Sequence, residues 1–61
     1  MKTVKATITE VDDLGGGCFS IAVMTKTGPL YFAVECDFVP QKDDKVVLTL
    51  NKCIVENMKK A

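Results

Sequence analysis

Three thiols, two pairs of adjacent carboxylates and a run of three glycines are the groups in this sequence best placed to do chemistry. Cys18, Cys36 and Cys53 stand 18 and 17 residues apart. That spacing lacks the C-x-x-C knuckles of a zinc site, and an odd count is not the even framework of a secreted disulfide scaffold. The three read as reduced, structural thiols. Cys18 follows Gly15-Gly16-Gly17, whose backbone amides would favour a thiolate, but no cationic base stands beside it in sequence, so a nucleophilic role is not expected.

Asp12-Asp13 and Asp43-Asp44 are the available ligands for a divalent cation. Adjacent acids next to turn-forming residues more often serve the turn itself, and no metal is expected. The stretch from Asp12 to Cys18 also fails as a phosphate cradle, since it has no P-loop lysine and its carboxylates would repel the phosphate. The chain has no histidine, no arginine and no tryptophan, and Ser20 is its only serine, which removes every catalytic scheme built on an imidazole base. Glu10, which alternation turns inward, is the one carboxylate that burial would perturb. A barrel this small fills its interior with its own side chains and leaves no concave pocket. The expectation is a protein without enzymatic activity and without cofactors.

The elements that must position these groups are strands. The chain has 61 residues, 48% of them apolar, and eight lysines balance eight acids. A chain of this length hides only about 60% of its unfolded surface, so one domain over residues 1–61 with a thin core is expected, and a partner that covers more surface would stabilise it. No run approaches the roughly 20 apolar residues of a membrane-spanning helix, and Met1 to Lys5 lacks the apolar stretch of a signal peptide. With the reduced thiols, this points to the cytoplasm.

Alternation from Thr3 to Val11 puts Val4, Ala6 and Ile8 on one face and Lys5, Thr7 and Thr9 on the other. The glycine run then predicts a flexible loop. A second strand from Cys18 to Thr25 turns Phe19, Ile21 and Val23 inward and Ser20, Ala22 and Met24 outward. Lys26 to Pro29 reads as a turn, and Leu30 to Asp37 as a third strand. A four-residue loop would pair Met24 with Tyr31 and Ile21 with Val34, while core pairs Ile8–Ile21 and Ala6–Val23 set the first two strands.

After a reversal over Val39 to Lys45, a fourth strand would lay Val46, Leu48 and Leu50 against Phe38, Cys36 and Val34. A bulge or bend near Asn51-Lys52 keeps Lys52 out of the core and starts a fifth strand at Cys53-Ile54-Val55. A helix over residues 52–60 competes, because Ile54, Val55 and Met58 also fit helical spacing. The fold class expected is all-β, a small five-stranded antiparallel barrel or strongly curled meander. Short connections favour an SH3-like over an OB-like version, since no room exists for a helix between the third and fourth strands.

This register predicts an outer surface with little charge at its centre. Met24 and Tyr31 are its anchors, Ala22 and Ala33 its floor, and Val47 and Lys5 its flank. The leading expectation is a small binding module that docks on a protein partner through this face, a second copy included, in the manner of accessory or inhibitor proteins of phages and mobile elements. A thin core favours a homodimer among the partners. A single-stranded nucleic-acid binder is the main alternative. It is disfavoured by zero net charge, by the absence of arginine and by a register that exposes only Tyr31 for stacking, although Lys2, Lys5 and Lys26 would cluster at one barrel end. An edge-to-edge assembly subunit is the third reading.

Overall fold

In the computed structural model, which describes residues 2–52 and 54–61, five antiparallel strands form a strongly curled half-barrel sheet. They are β1 (Lys2–Gly15), β2 (Cys18–Thr25), β3 (Gly28–Glu35), β4 (Lys45–Asn51) and β5 (Ile54–Lys60). The order across the sheet is β3-β2-β1-β4-β5, and the curl brings β3 against β5. The concave side is the core, where Ile8, Ile21, Val23, Val46 and Leu48 are essentially sealed from solvent. Burial of this kind contributes about 25 cal/mol per Å² of apolar surface and is the main force available to so short a chain.

Alternation decides which side chains reach that core. Phe19, Ile21 and Val23 of β2 point inward as their period-2 spacing requires, as do Val34 of β3 and Val46 and Leu48 of β4. Met58 of β5 completes the cluster, with Phe32, Phe38 and Leu50 packed around it. The helix considered for residues 52–60 does not form, because β5 pairs along β4 with Leu48 opposite Met58 and Val46 opposite Lys60.

Several sequence expectations are corrected by the pairing. The fourth strand was expected beside the third, but β4 pairs with the first half of β1, Lys2 opposite Leu50 through Thr7 opposite Lys45. The second half of β1 pairs with β2, from Thr7 opposite Met24 to Gly15 opposite Cys18. One strand of 14 residues therefore serves both halves of the sheet, which alternation alone does not reveal because each half looks like a complete strand.

At the handover Thr9 is an extra residue, since Ile8 faces Val23 and Glu10 faces Ala22. This β-bulge inverts the parity of β1. Ala6 and Ile8 are buried before it, and Val11 packs on the core after it, while Glu10 is exposed and not inward as alternation suggested. The Thr9 hydroxyl donates to the Ala22 carbonyl at 3.2 Å, repairing the ladder that the bulge interrupts.

The turns are tighter than the sequence suggested. Gly15 to Cys18 closes in a two-residue turn, with Gly16 at φ 64° and Gly17 at φ 79°, the pair of positive angles that a type I′ hairpin requires. The glycine run is thus a hairpin turn and not a flexible loop. The β2–β3 connection is also two residues, Lys26 and Thr27, so the hairpin register lies two positions from the expected one: Ala22 faces Tyr31 and Ile21 faces Phe32. An even-numbered slip leaves every side chain on its expected face. Pro29 lies within β3, which is tolerable because β3 hydrogen-bonds only to β2 and its other edge is free of ladder bonds.

The long connection from Cys36 to Asp44 is held by backbone bonds. The Ile8 amide donates to the Asp44 carbonyl at 2.9 Å, the Asp43 amide donates to the Ile8 carbonyl at 2.8 Å, and the Cys36 amide donates to the Gly17 carbonyl at 3.3 Å. The Gln41 amide donates to the Asp44 carboxylate at 3.1 Å, an interaction typical of aspartate in turns. No helix among the described residues is long and apolar enough to cross a membrane.

Candidate functional site

The outer face of β2 and β3 carries the first group of candidate residues. Tyr31 is 76% exposed and Met24 is 49% exposed, and Ala33 stands exposed two residues along β3 from Tyr31. Their side chains project because they alternate with Leu30, Phe32 and Val34 on one strand and with Val23 on the other. Ala22 differs from the expectation. It is only 7% exposed, flanked by Glu10 on one side and Tyr31 on the other, so it is floor and offers a partner almost no contact area.

Lys5 and Val47 form a second group, paired with each other across β1 and β4. They do not adjoin Tyr31. Thr7 separates the groups, lying opposite Met24 on one side and Lys45 on the other, with the Lys45 ammonium donating to its hydroxyl at 3.1 Å. The predicted patch is therefore an aromatic and apolar half on β2–β3 and a basic half on β1–β4, joined at Met24 and Thr7.

The basic half continues into two adjoining grooves. The larger, about 530 Å³, is lined by Lys5, Lys26 and Lys45 around Ala6, Val46 and Met24. The smaller, about 330 Å³, shares Lys5 and Lys26 and adds Lys2. Among the described residues no aspartate or glutamate side chain lines either groove, and Ala61 lines the larger one. Sequence placed Lys2, Lys5 and Lys26 together but missed Lys45, because that placement depends on β4 lying beside β1.

Four of the eight side-chain carboxylates, Asp12, Asp13, Glu35 and Asp37, gather at the other end, while Asp43 and Asp44 stand beside Ile8 and Glu56 beside Asn51. Glu35 faces Cys18 at the far end of β2, Asp12 faces Ser20 and Asp13 faces Phe19, and Glu35 and Asp37 line a separate cleft with Gly17, Cys36 and Asn57. β2 runs eight residues from Cys18 to Thr25, a span of roughly 23 Å at about 3.3 Å per step, most of the 27 Å long axis of the molecule. Zero net charge thus conceals a basic end and an acidic end, an asymmetry that composition cannot report.

The thiols give no reactive constellation. Cys18 and Cys36 are free and partly buried, and Cys53 lies outside the described residues. Burial pushes the Cys36 thiol up from its ordinary range, and the nearby charges of Asp37 and Cys18 push it the same way, against a hydrogen bond from the Phe38 backbone. A thiol held protonated is a poor nucleophile. Among the described residues no three cysteines or carboxylates converge to hold a metal ion. No family model, curated protein or solved structure matches this chain.

Proposed function

We propose that this protein is a non-enzymatic docking module that binds another protein through the outer face of β2 and β3. The observation carrying this reading is Tyr31, a large amphipathic ring left 76% exposed over a floor of Ala22 and Ala33. Tyrosine supplies contact area at low entropic cost and is enriched at binding hot spots. Met24 beside it adds an adaptable apolar surface. A module of this kind acts by covering a partner's surface, as accessory and inhibitor proteins do, and needs neither cofactor nor catalytic group.

The basic end gives a specific reason to keep single-stranded nucleic acid as the second reading, since Lys5, Lys26 and Lys45 line one groove with no aspartate or glutamate side chain. Only Tyr31 offers an open ring for stacking, however. Phe19 is buried and Phe32 and Phe38 pack on the core, so the platform of several bases that such binders use is missing.

A photo-crosslinking residue installed at position 31 or 33, compared with one at Asn57 on β5, tests the docking face in the native host. The expected result is an adduct with one protein from positions 31 and 33 but not 57, lost when Met24→Asp is added. Equal adducts from all three positions, or adducts with nucleic acid alone, would overturn the proposal.

A further inference from the structure

We infer that the lysine-rimmed groove receives the β1–β2 hairpin tip of a second copy of this chain, joining molecules head to tail. The groove runs over Thr7, with the strand backbone at the core residues Ala6 and Val46 beneath it, the half-exposed Met24 and Ala61 as its apolar surface, and a rim of Lys5, Lys26 and Lys45. Apolar surface within a ring of ammonium groups fits an apolar side chain flanked by carboxylates better than a bare phosphodiester chain, which would meet its phosphates only at the rim. The chain itself displays such a segment at its opposite end. Leu14 is 58% exposed, Asp12 and Asp13 immediately precede it and are exposed, and the Gly16-Gly17 turn fixes the hairpin that presents them.

The two surfaces are complementary in charge, and each has what the other lacks. One oxygen of the exposed Asp13 carboxylate already accepts the Gly15 amide at 2.8 Å, which braces the tip. Desolvating Leu14 against Met24 supplies the short-range attraction, and the opposed charges set orientation and encounter rate. Because the surfaces lie at opposite ends of β2, the contact is heterologous. A pair joined by one such contact still offers one free groove and one free tip, so the expected product is a ring or an open chain. The two contacts share Met24, but Tyr31 belongs to the docking face alone, so Tyr31→Asp tells them apart.

Sedimentation velocity over a concentration series at low and high salt tests the contact. Wild type is expected to show species larger than a dimer at low salt that revert toward monomer at high salt, as screening weakens the lysine–carboxylate attraction. Two variants separate the halves: Lys5→Glu with Lys26→Glu destroys the groove but keeps the tip, and Leu14→Ser with Asp12→Asn destroys the tip but keeps the groove. Circular dichroism confirms that each folds, and Lys26→Gln and Leu14→Ser alone serve if either does not.

Each variant alone is expected to associate at least tenfold more weakly. An equimolar mixture is expected to form a one-to-one complex that grows no further, because only one compatible pair of surfaces remains. A wild type that stays monomeric at low salt, a mixture that forms no complex, or association retained in both variants would overturn the inference. So would a monomeric protein whose lysines instead bind a labelled oligo-aspartate peptide or a single-stranded oligonucleotide. Tyr31→Asp is expected to leave the self-association unchanged.

Discussion

The Lys60 ammonium sits 5.6 Å from the centre of the Phe38 ring, so the last strand and the longest connection hold each other. The aromatic face is negative and the ammonium completes it, while Phe38 itself packs on the edge of the core. Urea titration of Lys60→Met is expected to show a loss of about 0.5–1 kcal/mol. Phe38→Ala should lose more, since buried aromatic surface goes with the cation contact, and an unchanged slope would confirm that folding stays cooperative.

Thr25 is the one buried polar residue among those described, and its hydroxyl organises the β2–β3 turn. It donates to the Gly28 carbonyl at 2.8 Å and accepts the Thr27 amide at 3.2 Å. Thr25→Val keeps the shape and strips both partners, for an expected cost of about 1–3 kcal/mol. Thr25→Ser keeps the hydroxyl and should cost under about 1 kcal/mol. Equal melting temperatures for the two variants would show that the hydroxyl is not what holds the turn.

Lys52 occupies the left-handed region at φ 52°, where a side chain costs about 1–2 kcal/mol. Lys52→Gly removes that strain and gives back part of the gain as chain entropy in the unfolded state. The expected net stabilisation is about 0.5–1 kcal/mol, read as a rise of roughly 4–8 °C per kcal/mol in a domain of this size. A lower melting temperature would count against the strain.

Burial, then Asp37 and Cys18, raise the pKa of the Cys36 thiol above its ordinary 9.0. A native state that holds this proton more tightly than the unfolded chain contributes stability that is fully present below about pH 9, and loses it as pH climbs through the folded value. Peptide-resolved mass spectrometry of alkylation at pH 8 should find Cys36 slower than the same thiol in the unfolded chain. Asp37→Asn should speed it. Labelling at the unfolded rate would contradict both the burial and the charge argument.

What the sequence discloses and what it withholds follow from the range of the interactions involved. Which side chains of β2, β3 and β4 face inward depends on local alternation, and Phe19, Ile21, Val23, Val34, Val46 and Leu48 were legible on that basis. Strand partnership is a long-range choice: nothing near Val46 announces that it lies opposite Ala6 and not Phe38. The bulge at Thr9 was hidden for a related reason. Val4, Ala6 and Ile8 fix one parity and Val11 another, and only a residue between them, identified by its three-dimensional neighbours, reconciles the two. The exposure of Met24 and Tyr31 followed from parity, whereas Ala22, on the same face, is covered by its neighbours across both ladders. The lysine end was half visible, since Lys5 and Lys26 meet through the β1–β2 hairpin while Lys45 arrives through the distant pairing of β4.

The division of β1 between two partners sets an order of events during synthesis. Residues 7–15 find their complement within the next few residues of chain, so the hairpin and β3 can assemble before β4 is made. Residues 2–7 must wait for positions 45–50, made about forty residues later. For that interval this half of β1 has an unsatisfied backbone edge, and the charged side chains of Lys2 and Lys5 on it are well suited to keeping neighbouring nascent chains apart.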